Sequence, residues 1–580
     1  MNTIAKRSPL FVVPKLDLSR LVNLAFGAAP EHPLYNEAEV QKMIATLPAD
    51  PVAGIAELTR QAVSINQTDS FNPGQRARVL MALDVAAHDH WGRICRDYFA
   101  PNGTPSEGRE VGGVAFRLLL EIATEFDNGY ALSLGNGALE SDWVKKNLGQ
   151  IMLRRALWLA RKFVLVNMLH HPNATSMWEE AHVLYRQAHE RGVLDTTLRV
   201  FPHDELTTSI KQEYVRLFLM EIAGLDTMHG REIELAFRIA GRVAASARLQ
   251  PEPLPAALYA VVPRGASRPA SVRRLGKSGS ALYLDTSGCL PHLQALLDRD
   301  PGCSKPTEAD PLFNRQFTMR ESSDMVHRLI EYWGPNPPKR RSQRVALDAP
   351  IRLRCGFDGI VQAMIPLDQG ASLEAEAAKA LRSGSEKDLR TEATKAVRET
   401  EARLADASAA GLGVLVPRKY ATWARMGALL AIYMEPGPDW IVGALRRISA
   451  EGDLLRLGIR ILGRRPRRGW FHLRSSPQAA VRSHEERMDE DFLKFYQQGI
   501  LLDVDPESAA AGEILAPHGV IKLGSRIELP LESRVQHLAP SSVCEETRGF
   551  DRVAFEARGA TPCATGTAKE DEPDLWRWAR

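Results

Sequence analysis

Two short polar stretches contain residue types that could bind a ligand. The first stretch, Lys339-Arg340-Arg341-Ser342-Gln343-Arg344, follows a proline-rich break and precedes an alternating apolar run. A guanidinium group is planar and permanently charged, and it can stack on a ring or form paired hydrogen bonds. The spacing Arg340-x-x-x-Arg344 in a flexible lead-in therefore suits a flat ligand that carries phosphate.

The second stretch, residues 406–411, supplies complementary polar groups. Asp406 can accept hydrogen bonds, and the Ser408 hydroxyl can bond nearby polar atoms. Gly411 permits a close approach of the backbone, or a positive φ angle, where a side chain would obstruct a ligand. Whether the two stretches form one site is open at this point, because Arg344 and Asp406 lie 62 positions apart.

The composition is that of a globular chain with several domains. A chain of 580 residues is too long for one hydrophobic core, and about three or four domains are expected. Its 44% apolar and 25% charged residues are close to globular averages. The formal net charge of +3, from 74 basic and 71 acidic residues, argues against a protein that coats nucleic acid.

The cysteines and the apolar segments indicate the cellular compartment in which the protein is expected. The 6 cysteines form no C-x-x-C pair and fit neither a disulfide framework nor a zinc site, so a reducing cytoplasm is expected. The N-terminus has no apolar run of the length that a signal peptide needs. Residues 151–169 are apolar but are interrupted by basic residues that are costly in a bilayer, so they predict a soluble helix.

The order of the patterns predicts a multidomain α+β chain. Residues 1–250 show amphipathic patterns and helix-start signals, which predict an irregular all-α domain. The start signals are Asn36, Asp50-Pro51 and Asn72-Pro73. Residues 251–335 are expected to form a mixed connector with short strands and a helix. Apolar runs between glycine and proline turns predict an antiparallel β-barrel at 336–470, with a helical insertion at about 372–404.

The C-terminal part is expected to hold a second module. Residues 471–559 predict a helix at about 485–498 together with further strands. Residues 560–580 are polar and predict a disordered tail.

The two polar stretches and the strands around them resemble the PilZ domain family. Arg340-x-x-x-Arg344 precedes one predicted strand, and Asp406-x-Ser408-x-x-Gly411 leads into another. Gly427 resembles the family's turn into its next strand, and the final hairpin, with Gly458 in the usual place, is also similar. The resemblance covers residues 336–470, under a quarter of the chain. It implies a six-stranded β-barrel that binds cyclic di-GMP, a bacterial second messenger with two guanines and two phosphates.

The resemblance also implies roles for individual residues. Arg340 and Arg344 would contact guanine and phosphate, with Arg341 as a helper, because arginine can pair with the O6 and N7 edge of guanine. The barrel wall of the site would consist of Asp406, Ser408 and Gly411. The family usually joins its two motifs by a short connection, whereas here an insertion separates them. An insertion in a surface loop adds little closure entropy, so binding could survive it, or the insertion could cover the site.

We therefore expect a cytoplasmic, non-enzymatic signalling effector that couples cyclic di-GMP binding to a domain rearrangement or to a protein partner of the helical domain. No cofactor, metal ion or membrane span is expected. One alternative is a degenerate barrel that serves as a scaffold or adaptor and binds no nucleotide. Another is nucleic-acid binding through residues 340–344 and 464–468, which the near-neutral charge disfavours.

Two other polar patterns are interpreted as structural. His88 and His90, with Asp84 one turn earlier, could suggest a metal pair, but they lack further ligands and are interpreted as helix residues. Residues 285–288 lack the spacing and the second loop of an acid protease, and they predict a turn. The sequence contains no phosphate-binding loop, dinucleotide fingerprint or nucleophile elbow.

Overall fold

The chain is divided into two compact units. The first comprises Met1–Leu165, Thr175–Glu221 and Leu235–Trp333, and the second comprises Val166–Ala174, Ile222–Glu234 and Gly334–Arg580. The computed structural model describes residues 32–98, 108–135, 137–171, 176–202, 207–275, 280–298, 316–339, 342–366, 399–435, 440–474, 496–502, 504, 511–531, 534–547 and 549–562.

The N-terminal part of the chain is helical, as its sequence predicts. Its helices are α1 (Glu37–Ala45), α2 (Pro51–Gln67), α3 (Pro73–Tyr98), α4 (Gly108–Ser133), α5 (Asp142–Met168), α6 (Ser176–Glu190), α7 (Ile210–Ile222) and α8 (Gly230–Val243), with a short ladder of β1 (Leu198–Arg199) and β2 (Thr207–Thr208). The predicted helix starts are confirmed, since Asn36 and Asp50 each accept a hydrogen bond from an N–H of the first turn. Such caps satisfy N–H groups that have no partner within the helix.

The described residues of the first unit also form a small sheet and three further helices. The strands are β3 (Arg248–Gln250), β4 (Tyr259–Val261), β5 (Ala270–Ser271) and β6 (Leu282–Asp285), in the order β3-β6-β4-β5. The helices are α9 (Val272–Leu275), α10 (Cys289–Leu297) and α11 (Met319–Trp333). The buried Trp333 donates from Nε1 to the Leu219 carbonyl at 3.0 Å. The region expected as a mixed connector therefore shares one compact unit with the helices.

Helix α5 carries basic side chains into the core of the first unit. Asp84, at 0% exposure, accepts hydrogen bonds from Arg154, from Tyr130 Oη at 2.6 Å and from Trp158 Nε1 at 3.2 Å. A buried carboxylate needs such donors, because removal from water without them costs several kcal/mol. The basic residues of this segment therefore stabilise the helix packing.

A second buried carboxylate, Asp127 of α4, pairs with basic residues further along α5. Asp127 Oδ1 is 3.1 Å from Arg155 Nε, and Asp127 Oδ2 is 3.1 Å from Lys162 Nζ.

Within the described ranges, no helix combines the length and the apolar character that crossing a bilayer requires.

The second unit contains a closed barrel of six antiparallel strands, which confirms the barrel expected from the sequence. Its strands are β7 (Val345–Cys355), β9 (Thr400–Ser408), β10 (Gly411–Pro417), β11 (Leu429–Met434), β12 (Ile441–Glu451) and β13 (Leu454–Gly463), in the ring order β10-β13-β12-β11-β7-β9. Helix α12 (Phe357–Ala363) and β8 (Ile365–Pro366) follow β7. Leu404, Leu412, Val414, Ile432 and Leu457 are among the side chains that fill this barrel.

The C-terminal strands pair in a closed cycle and form a second barrel. They are β14 (Arg467–Arg474), β15 (Tyr496–Leu502), β16 (Ala511–Ala516), β17 (Arg526–Pro530), β18 (Arg534–Glu546) and β19 (Asp551–Pro562). Their order is β15-β16-β19-β18-β17-β14, with β8 beyond β14, and β14 also pairs with β15, which closes the cycle. Phe471, Leu501, Ile527, Leu538 and Phe555 belong to the core of this second barrel.

An apolar layer joins the two barrels within the second unit. It contains Val442 and Leu462 of the first barrel, Ile500 and Phe550 of the C-terminal part, and Ile360 of α12, all of which are buried. Burial of apolar surface at this layer stabilises the pair of barrels.

Three segments have a different secondary structure from the one that the sequence predicts, at the ends that the structure describes. Residues 400–404, expected as the end of a helical insertion, belong instead to β9, where Leu404 fills the barrel core. Residues 496–498, expected in a helix, belong to β15, and residues 560–562 of the expected tail belong to β19. Pairing with distant strands outweighs the local helix propensity at 400–404 and 496–498, and it orders residues 560–562. The rest of these elements, at 372–398, 485–495 and 563–580, lies outside the described residues.

Asp84→Ala should destabilise the first unit by about 3–5 kcal/mol, because it leaves the buried Arg154 charge without its partner. Urea denaturation of the full chain measures the change. The control is Asp324→Ala, which removes an exposed carboxylate 3.8 Å from Arg320 and should change the unfolding free energy by about 0.5 kcal/mol or less. Equal effects of the two substitutions would contradict the structural role of Asp84.

Candidate ligand-binding site

The spacing Asp406-x-Ser408-x-x-Gly411 corresponds to a tight hairpin. Ser408 ends β9 and lies opposite Gly411, which begins β10, and Ala409 and Ala410 form the turn between them. Ser408 Oγ donates a hydrogen bond to the Gly411 carbonyl at 3.2 Å. The spacing of the motif is therefore that of two strand ends joined by a two-residue turn.

A bulge at Ala405 turns Asp406 to the outer face of the barrel. Gly413 lies opposite Asp406, but the next residue, Val414, lies opposite Leu404. In a regular strand, Leu404 and Asp406 would point to the same face, because alternate residues share a face. The extra residue allows Leu404 to fill the core while Asp406 faces outward.

Asp406 lies between two arginines from different parts of the barrel. Arg344 donates to Oδ1, and Arg456 of β13 donates from Nη2 to Oδ2 at 2.6 Å. Asp406 is only 8% exposed, whereas both guanidinium groups reach solvent. Burial raises the pKa of Asp406, but hydrogen bonds and charge from Arg456 and Arg344 outweigh burial and hold this pKa below its ordinary value. Asp406 is therefore ionised at neutral pH and holds Arg344 against the barrel.

Three glycines lie on neighbouring strands beside Asp406. Gly413 lies between Asp406 and Gly458 on adjacent strands, and Gly458 lies opposite Arg447. A Cβ atom on Gly413 would lie 2.5 Å from the Asp406 carboxylate oxygens, and one on Gly458 would lie 2.8 Å from Arg447 Cβ. We call Gly411, Gly413 and Gly458 the glycine strip. The missing side chains leave room for the Asp406 carboxylate and the Arg447 side chain to lie close to the backbone.

Strand pairing brings the two polar stretches next to each other, although they are distant in the sequence. Val345 lies opposite Ala407, so Arg344 is adjacent to the hairpin that carries the second motif. At the other end of this pair, Leu353 lies opposite Thr400. The chain leaves β7 and enters β9 at that other end, about 25 Å along the strand from Val345. The 62-position separation of Arg344 and Asp406 is therefore compatible with direct contact.

Further arginines border the glycine strip. Arg447 pairs with Asp226, which belongs to the same compact unit. Arg460 lies opposite Gly411, and Arg464 Nη2 donates to a turn carbonyl of the hairpin at 3.2 Å. The concentration of guanidinium groups around the strip favours an anionic ligand.

Four of the residues predicted from the sequence lie together on this outer face. They are Arg344, Asp406, Ser408 and Gly411. Arg340 and Arg341 lie outside the described residues.

Sequence reasoning did not identify Arg456 as part of the site. The signal was the alternation of Arg456, Gly458 and Arg460 in one strand, because residues two apart share a face. That alternation does not reveal the pairing with Asp406, which depends on the register between distant strands.

The other polar patterns contribute to the fold. Asp84 is the buried acceptor described above, and the His88 ring stacks on Phe201 with 4.1 Å between the ring centroids. Asp285 Oδ1 accepts a hydrogen bond from the Ser287 N–H at 2.9 Å, as in the expected turn. Across the part of the chain that the structure describes, no group of three His, Cys, Asp or Glu side chains is suited to a metal ion.

Comparison with known proteins finds a related family in the helical region. Residues 38–254 match the family model of the N-terminal domain of the cyclic-di-GMP receptor FimW. The helical region is similar to that domain. The match covers less than half of the chain and ends before the barrel. No curated protein matches the chain.

Gly413→Ala should destabilise the barrel by about 1–3 kcal/mol, because the added Cβ would displace the Asp406 carboxylate from its two arginines. Gly549→Ala is the matched control, since no atom within 4 Å meets its added Cβ. Urea denaturation of both variants tests the role of the glycine strip. A Gly413→Ala variant as stable as the Gly549→Ala variant would refute it.

The Asp406 cluster should also give a specific pH dependence. A carboxyl group whose pKa is lowered by folding stabilises the native state above its unfolded pKa, and this contribution is lost as the pH falls through the folded value. The difference in urea midpoint between the wild type and Asp406→Asn should therefore be largest near neutral pH and should shrink below about pH 4. A difference that stays constant from neutral pH to pH 3 would contradict this assignment.

Proposed function

We propose that this chain is a cyclic di-GMP receptor of the PilZ type and that the ligand binds to the outer face of the first barrel. The observation that carries the proposal is the cluster of Arg344, Asp406 and Arg456 beside Ser408 and the glycine strip. It combines permanent positive charge, a hydrogen-bond acceptor and a stretch of backbone that carries no side chains. The similarity of the helical region to the N-terminal domain of a cyclic-di-GMP receptor supports the same ligand independently.

The binding step is an exchange of partners at Asp406. Guanine N–H groups can donate to this carboxylate and replace the hydrogen bond from Arg344. Arg344 is then available for a phosphate or for the O6 and N7 edge of a guanine. Because the nearly buried carboxylate keeps a donor throughout, the exchange avoids the cost of an unpaired buried charge.

The remaining predicted residues complete the site in this proposal. Ser408 offers its hydroxyl group at the hairpin, and Gly411 adds no side chain beside it, since a Cβ atom there would lie 2.7 Å from the Ile459 carbonyl oxygen. Arg340 and Arg341 precede Arg344 in the sequence, and we assign them to guanine and phosphate contacts.

We assign the chain an effector role in the cytoplasm, without catalysis. The ligand can alter the arrangement of domains, or the affinity for a protein partner of the helical region, only by binding one state more tightly than the other. In the alternative, a scaffold with a degenerate barrel, the chain would capture the same partners with and without cyclic di-GMP, and the Arg344→Ala variant would capture them equally.

Calorimetric titration with cyclic di-GMP should give saturable binding to the full chain. Arg344→Ala should weaken this binding about 10- to 100-fold, because a hydrogen bond to a charged group contributes about 1.5–3 kcal/mol. Ser408→Ala should weaken it about 3- to 10-fold, as expected for the loss of a neutral hydrogen bond.

Two substitutions away from the site serve as matched controls. Arg352→Ala removes another partly exposed arginine of the same barrel, whose Nη1 lies 3.2 Å from Glu399. Ser542→Ala removes an exposed hydroxyl group of the second barrel. Both variants should bind like the wild type. The proposal fails if the wild type shows no saturable binding or if Arg344→Ala and Arg352→Ala bind equally well.

A further inference from the structure

We infer that Arg460 is a further ligand-binding residue and that Glu545 of the second barrel competes with the ligand for it. The inference rests on the proposed function, because it assigns the regulation of the same site. A residue of the second barrel would then regulate the affinity of the first barrel for its ligand.

The strand register places Arg460 between the site and the contact with the second barrel. On one side it lies opposite Gly411, and on the other it lies opposite Ala444. Gly411 faces Ser408 across the hairpin, whereas Ala444 is buried in the apolar layer between the barrels. One interstrand spacing, about 4.8 Å, separates the Arg460 backbone from each neighbouring strand. A flexible arginine side chain can therefore reach toward either side.

Glu545 of β18 is the anion that forms an ion pair with Arg460. Its carboxylate is mostly buried, with 11% of the side chain exposed, and it forms an ion pair with Arg446. Arg460 Nη1 lies 3.7 Å from Oε2, which is an ion-pair distance but longer than a hydrogen bond. No donor within the described ranges makes a hydrogen bond to this buried Oε2 atom. The contact of Glu545 with Arg460 is therefore loose.

The other arginines around the glycine strip are held more firmly. Arg456 donates to Asp406 at 2.6 Å and to Glu451 at 3.2 Å, and Arg447 donates to Asp226. Arg460 has 52% of its side chain exposed. Of these three, Arg460 gives up the least direct bonding when it turns toward an anion on the strip. A phosphate can offer it the paired hydrogen bonds that Glu545 does not make.

This exchange connects the ligand to the second barrel. When Arg460 turns to the ligand, Glu545 keeps its ion pair with Arg446 but loses its ion pair with Arg460. The apolar layer between the barrels does not depend on this ion pair, so the exchange adjusts the contact without separating the barrels. Conversely, a carboxylate at position 545 lowers the affinity for an anionic ligand by competition.

Cyclic di-GMP titration of full-length variants tests the inference. Arg460→Ala should weaken binding about 5- to 20-fold, and Arg460→Lys should retain part of the affinity because it keeps the charge. Glu545→Gln should bind about 2- to 5-fold more tightly than the wild type, as expected for the loss of one partly exposed competing charge. The gain from Glu545→Gln should disappear when it is combined with Arg460→Ala.

Arg352 and Glu399 provide the matched control, because Glu399 also holds two arginines on the same barrel. Arg352→Ala and Glu399→Gln should leave the affinity unchanged. If the wild type does not bind, both the proposed function and this inference fail. If the wild type binds and Arg344→Ala does not, but the variants at 460 and 545 bind like the wild type, only this inference is overturned. Thermal melts of each variant identify any affinity loss that is caused by misfolding.

Discussion

The candidate site depends on one nearly buried carboxylate. Asp406 has little contact with solvent, and it is stabilised in its ionised form by donors from Arg344 and Arg456. Arg344 precedes the first strand of the barrel and Arg456 lies on the last, so this side chain links two distant parts of the chain. The two guanidinium groups are also the groups that an anionic ligand would use. In the proposed binding step, the contact that holds Arg344 against the barrel is the contact that the ligand replaces.

The register of the barrel determines what surrounds this carboxylate. The bulge at Ala405 brings Asp406 to the outer face, and Gly413 leaves room for its oxygens. The same register leads from Gly411 through Arg460 to the apolar layer between the barrels. A ligand on this face would therefore lie one strand from a residue that contacts the second barrel. Such a link can shift an equilibrium by the difference in ligand affinity between two states, and a large movement is not required.

Sequence analysis could predict the features that depend on local chemistry. The helix starts at Asn36 and Asp50 follow from capping, and the barrel strands follow from apolar runs between turns. The site residues from 406 to 411 could be placed together because a tight hairpin joins them. The bulge, the role of Arg456 and the closed second ring were not predicted, since each depends on pairing between distant strands. For the same reason, residues 400–404 resembled a helix locally but form a strand beside β7.

A structure of the full chain bound to cyclic di-GMP would test the central claim most directly. The account predicts a ligand that covers the glycine strip, with Arg344 moved from Asp406 to a phosphate or guanine of the ligand and with Asp406 accepting from guanine N–H groups. A ligand bound elsewhere, with Arg344 still paired to Asp406, would contradict the account.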